Sequence, residues 1–150
     1  MEMRAGGAQP IVIDLGCGNG RNTIYLVDNG FEDVNAFDMK PDFGEELHLG
    51  KEKIPVGTGA ADIVMVNYVF MFLTERELAH ACREICRIVK PGGLLLWELY
   101  AAKESYTPDA RSVGDMYWAL LEYFVDRGFT SFVRLKNKAL MKRTSKGVRK

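Results

Sequence analysis

The sequence is poor in the residues that build metal centres and disulfide frameworks. Its 150 residues include three cysteines and two histidines. Three is an odd count without a framework spacing, which points to a reducing, cytoplasmic setting. Cys82 and Cys86 stand four apart, as half of a metal site would. No second pair accompanies them, so they read as core residues and no metal is expected. His48 and His80 are isolated in the sequence, and neither suggests a catalytic base. Long apolar runs are missing too. Stretches such as Ile63 to Asn67 and Leu94 to Trp97 are far too short to cross a bilayer, so no membrane partner is expected. The opening "MEMRAGGAQP" has no apolar signal-peptide region. There is no internal repeat and no low-complexity segment.

Net charge is also absent, with 20 Lys and Arg against 20 Asp and Glu, but the balance hides an asymmetry. Residues 1–75 hold 5 basic and 12 acidic side chains, and residues 76–150 hold 15 and 8. Arg134 to Lys150 alone carries 8 basic residues and no acid. Such a run suits a nucleic acid or another polyanion, and it equally suits a solvated strand pair with a loose end. With 47 % apolar residues the chain has material for one packed domain. The reading is a single domain over 1–150, with 1–10 and about 144–150 as flexible ends.

What the sequence does contain is alternation. Ile11 to Leu15 is a short apolar run, read as a buried strand. Asn22 to Asp28 reads as a helix closed by Gly30. Val34 to Phe37 is a second strand ending in Asp38, and Asp62 to Asn67 is another. Thr74 opens a helix with Glu77 three residues on, a capping box. Its apolar face runs Leu78, Ala81, Cys82, Ile85, Ile88 and Val89, and "KPGG" stops it. Leu94 to Leu99 is a strand, Val113 to Asp126 a helix ended by Gly128, and Thr130 to Leu135 with Ala139 to Lys142 a hairpin. This order predicts an α/β fold: a doubly wound, mostly parallel sheet covered on both faces, with a C-terminal antiparallel hairpin. Between strands 2 and 4 it is trimmed. Residues 39–61 show no good helix, only a short strand near Glu46 to Leu49.

The stretch "IVIDLGCGNGRN" places Gly16, Gly18 and Gly20 directly between a strand and a helix. Glycine lets the chain turn sharply and lets a ligand approach the backbone. A helix opening there aims its dipole at that ligand. The carboxyl end of a strand is also where open α/β sheets bind ligands. A dinucleotide fingerprint needs a third glycine where Arg21 stands, which disfavours a nicotinamide oxidoreductase. Cys17 lies inside the loop with no base beside it, so it reads as a small residue offering backbone contacts.

"DLGCGNG" resembles motif I of the class I, Rossmann-like methyltransferases that use S-adenosyl-L-methionine (SAM). "IPVGTGAADIVMVN" and "RIVKPGGLLLW" resemble the approaches to that family's fourth and fifth strands. The resemblance spans about Ile11 to Leu99. It implies a glycine loop of Asp14, Gly16, Cys17, Gly18 and Gly20 against the methionine part of SAM. It also implies that Asp38, 24 residues after Asp14, accepts bonds from the ribose diol. Asn67 and Tyr68, with Glu98 and Tyr100, leave their strands above the expected sulfonium. "DLGCGNGRNTIYL", "NGF", "VNAFD" and "VFMFL" resemble the tellurite-resistance subgroup, which methylates oxyanions or related soft nucleophiles. The family often carries an acid after the third strand that meets the adenine amino group. That position falls near Gly50 here, so adenine is expected against the backbone around Leu49 to Lys51 and apolar side chains such as Met39. The expected product is S-adenosylhomocysteine (SAH), and no catalytic residue is identified. The expected acceptor is a small molecule. Alternatives are a non-catalytic partner subunit or oligomer with this fold, or an RNA-directed enzyme using Arg134 to Lys150. "NYVF" stands where base-amino methyltransferases carry an N-P-P-Y type motif.

Overall fold

Strand β1 (Ile11–Leu15) is nearly all aliphatic and lies in the middle of the sheet, where both faces and both edges are covered. The computed structural model describes residues 8–99, 107–109, 111–135 and 137–145. Residues 1–7 and 146–150, read as loose ends, lie outside the described residues, as do Tyr100 and Tyr106. The other elements are α1 (Arg21–Asp28), β2 (Asp33–Asp38), β3 (Glu45–Glu46), β4 (Ala61–Asn67), α2 (Glu75–Ile88), β5 (Val89–Glu98), α3 (Val113–Asp126), β6 (Phe129–Leu135) and β7 (Lys138–Arg143). They form one seven-stranded sheet in the order β3-β2-β1-β4-β5-β7-β6. The first five strands pair in parallel, and β7 joins β5 and β6 antiparallel.

Local chemistry explains most boundaries. The capping box is present: the Glu77 N–H donates to Thr74 Oγ1 and the Thr74 N–H to Glu77 Oε1. Ser112 caps α3 by accepting from the Asp115 N–H. Gly30 and Gly128 adopt φ of 97° and 93° just past their helices. "KPGG" behaves differently from the expectation. The helix ends at Ile88, and Val89 already pairs with Ala61. The pairing then skips to Ile63 with Leu94, so the Pro-Gly-Gly is looped out as a bulge inside β5, with Gly92 at φ 83°.

The sheet's two faces are unequally covered. Ile13, Val64, Leu95 and Trp97 join the buried sides of α2 and α3 in one large cluster. Trp97 is fully buried against Phe70 and Tyr117, with ring centroids 6.3 and 5.2 Å away. The other face has a small cluster, Val12, Phe31 and Met65, on which, among the described helices, α1 packs through Leu26. Full cover on both faces was expected, but residues 39–61 supply no helix, only the two-residue β3. Side chains of α2 hold that stretch instead. Arg87 donates to the carbonyls of Ile54 and Val56, both at 2.8 Å, and Glu84 Oε1 accepts from the Ile54 N–H at 2.7 Å. Backbone groups that a helix would satisfy internally are met by this ion pair. Among the described residues no helix is long and apolar enough to cross a membrane.

Candidate functional site

At the carboxyl ends of β1, β2 and β4 lies a cleft of about 220 Å³. Leu15, Gly16, Asp38, Met39, Tyr68 and Val69 line its near side. Leu47, His48, Leu49, Phe72, Leu73 and Glu77 line the rest. A larger hollow of about 620 Å³ runs between α2 and α3, but it lies away from the strand ends and touches neither the glycine loop nor Asp38.

The loop from Gly16 to Gly20 is pinned by its neighbours. The Gly16 and Cys17 N–H groups both donate to the Phe37 carbonyl, at 2.7 and 3.0 Å. The Gly18 N–H donates to Asp38 Oδ2 at 2.8 Å, and the Lys40 N–H to Asp38 Oδ1 at 3.1 Å. An ionised carboxylate has about four acceptor positions. Asp38 therefore holds the loop and keeps capacity for a diol in the cleft it lines. The three glycines have separate reasons to be glycine. A Cβ on Gly16 would lie 2.1 Å from Val69 Cγ2, and one on Gly20 would lie 2.5 Å from the Phe43 ring. A Cβ on Gly18 would meet nothing, so only its φ of 57° favours glycine there.

Of the residues expected at the cofactor, Gly16, Asp38 and Met39 line the cleft. Gly18 joins it through Asp38, while Cys17 and Gly20 are buried, with Phe43 packed over them. Cys17 Sγ donates to the Phe43 carbonyl at 3.0 Å. Burial, helped by the charges of Asp14 and Asp38, pushes its thiol up to about 11, which leaves it no nucleophilic role at neutral pH. Asp14 does not reach the cleft: it is fully buried behind the loop and accepts from Thr23 Oγ1 at 2.8 Å. Among the described residues its Oδ1 has no hydrogen-bond partner, and burial raises its pKa above the usual aspartate value, with the Thr23 bond opposing. Through this bond it ties β1 to α1 behind the loop. Asn67 is likewise not among the lining residues. The pleat sends its side chain to the same face as Met65, and the left-handed Tyr68, at φ 60°, turns the chain so that Tyr68 and Val69 face the cleft.

Tyr68 is held in that conformation from both ends. Its N–H donates to the Glu98 carbonyl at 2.8 Å, and its hydroxyl to Glu98 Oε2 at 2.7 Å. Lys138 Nζ stands 3.7 Å from the same oxygen. Of the rim residues read from the sequence, Tyr68 and Glu98 thus meet, and Tyr100 lies outside the described residues. On the far side the sequence points to Leu49, and "VFMFL" holds Phe72 and Leu73 without giving them a role. His48 and Glu77 were not read as cleft residues; for Glu77 the one signal was the capping box, which already places it at the start of α2.

Among the described residues of the basic run, the cations are not gathered on one face. Arg143 donates to the Cys86 carbonyl at 2.7 Å and to that of Val89, closing the end of α2. Lys138 belongs to the rim just described, while Arg134 and Lys142 are exposed. Strand pairing sets Arg134 beside Ala139 and Thr130 beside Lys142, so the two exposed cations are on opposite faces. Among the described residues no group of His, Cys, Asp and Glu is arranged to hold a metal.

Residues 13–97 match the methyltransferase domain family, and the chain belongs to it. An uncharacterised methyltransferase of Mycobacterium tuberculosis is 34 % identical over 94 residues, 56 % of this chain and 37 % of that protein. The malonyl-[acyl-carrier protein] O-methyltransferase of Enterobacter lignolyticus is 31 % identical over 101 residues, 61 % of this chain and 39 % of its own length. The chain thus spans about two fifths of the length of these curated relatives. In fold it is similar to the 1,6-didemethyltoxoflavin-N1-methyltransferase of Burkholderia thailandensis, solved with SAH. The TM-score is 0.66 at 15 % identity, covering 91 % of this chain and 72 % of that one. A SAM-dependent methyltransferase of Mesorhizobium loti gives 0.62 at 16 % identity, covering 89 % and 90 %.

Proposed function

We propose that this chain binds SAM and transfers its methyl group to a small-molecule acceptor, releasing SAH. The observation that carries the reading is the cleft in which Gly16 and Asp38 meet at the carboxyl ends of β1 and β2. The cofactor fits the residues present. Gly16 presents bare backbone in the lining of the cleft, Asp38 retains acceptor capacity, and Met39, Leu47 and Leu49 give apolar walls for a purine. When bound, SAM supplies a methyl group on a sulfonium, which is a good leaving group. The protein's part is then chiefly to hold and align. Asp38 would hold the ribose hydroxyls, and the Gly16 backbone would lie against the methionine portion. Tyr68 and Glu98 stand at the rim where an acceptor enters.

A small acceptor fits better than a nucleic acid, because Arg143 is spent on the end of α2 and Lys138 faces Glu98. We also propose that residues 1–150 act as one domain in the cytoplasm, a setting that suits the free thiols of Cys17, Cys82 and Cys86. The test is calorimetric titration of the wild-type chain and Asp38→Ala with SAM and with SAH. Binding that the substitution weakens about tenfold or more supports the reading, since a charge-assisted bond contributes roughly 1.5–3 kcal/mol. A wild-type chain that binds neither sinks the enzyme reading and leaves a non-catalytic partner subunit.

A further inference from the structure

The far end of the cleft raises a question that Asp38 and the glycine loop leave unanswered. Its walls are mostly apolar, from Leu47, Leu49, Phe72 and Leu73, and only two side chains there carry polar atoms: His48 and Glu77. Glu77 sits in the first turn of α2. Its Oε1 is taken by the Thr74 N–H at 3.0 Å. Among the described residues its Oε2 is approached by His48 Nε2 at 3.7 Å and Lys51 Nζ at 3.9 Å, ion pairs beyond hydrogen-bond length. That oxygen therefore keeps open acceptor capacity at an end of the cleft walled mostly by hydrocarbon.

Gly50 explains how Glu77 gets there. A Cβ on Gly50 would lie 2.6 Å from Glu77 Cβ and 3.0 Å from its Cγ. The backbone of residue 50 and the side chain of residue 77 thus share one space, and glycine at 50 is what admits the glutamate. The Gly50 N–H donates to His48 Nδ1 at 3.2 Å, which directs the other ring nitrogen toward Glu77. The side chain is held on three sides and presents one oxygen.

We propose that Glu77, from α2, reads the exocyclic 6-amino group of the adenine, making the cleft selective for 6-aminopurine over 6-oxopurine nucleosides. This rests on the SAM reading above. An amino group donates a hydrogen bond to the carboxylate, whereas a 6-oxo group turns an acceptor toward a negative charge. A site that hydrogen-bonds a ligand's N–H group disfavours the analogue that cannot supply it. The capping role and the reading role use different oxygens of one carboxylate, so they do not compete.

The experiment is calorimetry of the full chain with SAH and with S-inosylhomocysteine, in wild type and Glu77→Gln. Glutamine preserves the capping box, so the variant should fold. Its amide can also turn a donor toward a 6-oxo group. The wild type is expected to prefer SAH by about 10- to 100-fold. In Glu77→Gln that preference should fall below about threefold, with the inosyl compound gaining affinity. A merely structural glutamate would lower both affinities together and leave their ratio unchanged. Gly50→Asp combined with Glu77→Ala should restore part of the preference, because the aspartate enters the vacated space. Tight SAH binding with no preference in wild type, or a preference that Glu77→Gln leaves intact, overturns the inference and spares the SAM reading. Failure of the wild type to bind either compound overturns both.

Discussion

The two ends of the cleft are built in opposite ways. The glycine-loop end comes from one continuous strand-loop-helix and the tip of the adjacent strand. Its carboxylate is anchored within the protein through both oxygens: Asp38 accepts from the Gly18 and Lys40 N–H groups, with acceptor capacity to spare. The far end is assembled from residues 47–49, the turn at Phe72 and Leu73, and the first turn of α2. Its carboxylate keeps one oxygen open. The carboxylates also differ in the direction of their pKa shifts. Burial raises the pKa of Asp14 behind the loop, whereas the Thr74 backbone bond lowers that of Glu77. One end is shaped by backbone geometry, the other by side chains brought together from a distance.

The largest effect should come from breaking the backbone end. Gly16→Ala must place a Cβ against Val69 at a φ of 80°. Left-handed strain and overpacking together should cost about 2–5 kcal/mol. At this chain length that corresponds to a fall in Tm of roughly 5–20 °C. Gly18→Ala, identical in sequence terms, should cost only about 1 kcal/mol, since its Cβ meets nothing. Thermal melts of the two variants side by side check the contrast; equal losses would contradict it.

Thr23→Val comes next. It removes the one donor to the buried Asp14 carboxylate, and the orphaned acceptor should cost about 1–3 kcal/mol in denaturant titration. The sign with pH follows from Asp14 itself. Its folded pKa is raised, so the folded state binds the proton more tightly than the unfolded state does. The contribution is favourable below the ordinary aspartate value and is lost as pH rises through the folded value. Asp14→Asn should therefore gain stability relative to wild type as pH rises from about 4, then level off. Glu77 runs the other way. Its lowered pKa gives stability present above the ordinary glutamate value and lost as pH falls. Glu77→Gln should thus be less stable than wild type at neutral pH and approach it in acid. Parallel pH-dependent melts that slope the same way for both variants would break the comparison.

The smallest effect belongs to Cys17. Its thiol is pushed up to about 11 and is covered by the residue 43 backbone. Cys17→Ala should change SAH affinity by less than about threefold, and alkylating reagents at pH 8 should leave Cys17 unmodified in the folded chain. Rapid modification there would mean that the loop opens.

The contrast between the two ends also accounts for what was legible. "DLGCGNG" and Asp38 could be read because the loop chemistry is local: turn, glycine and helix start follow one another along the chain. The hairpin, the cap at Thr74 and the helix ends at Gly30 and Gly128 were readable for the same reason. Phe43 over Gly20, the Arg87 and Glu84 clamp on residues 54–56, and Glu77 against Gly50 were not. Each joins segments some 23 to 33 residues apart, with no periodicity to link them. The capping box located Glu77 correctly but assigned it one role, because a sequence shows only the neighbours along the chain. Nothing in the sequence announces that Tyr68 adopts a left-handed backbone, which brings Tyr68 and Val69 into the cleft lining while Asn67 stands beside Gly16 through its carbonyl.

The central claim is that both ends belong to one nucleoside-binding cleft. Hydrogen–deuterium exchange of the full chain with and without saturating SAH tests it most directly. The account predicts slowed exchange in three separate stretches at once: residues 14–20, residues 37–50 and residues 68–77. The hollow between α2 and α3 should be unchanged beyond the first turn of α2. Protection confined to the glycine loop, or appearing between α2 and α3 instead, would contradict it.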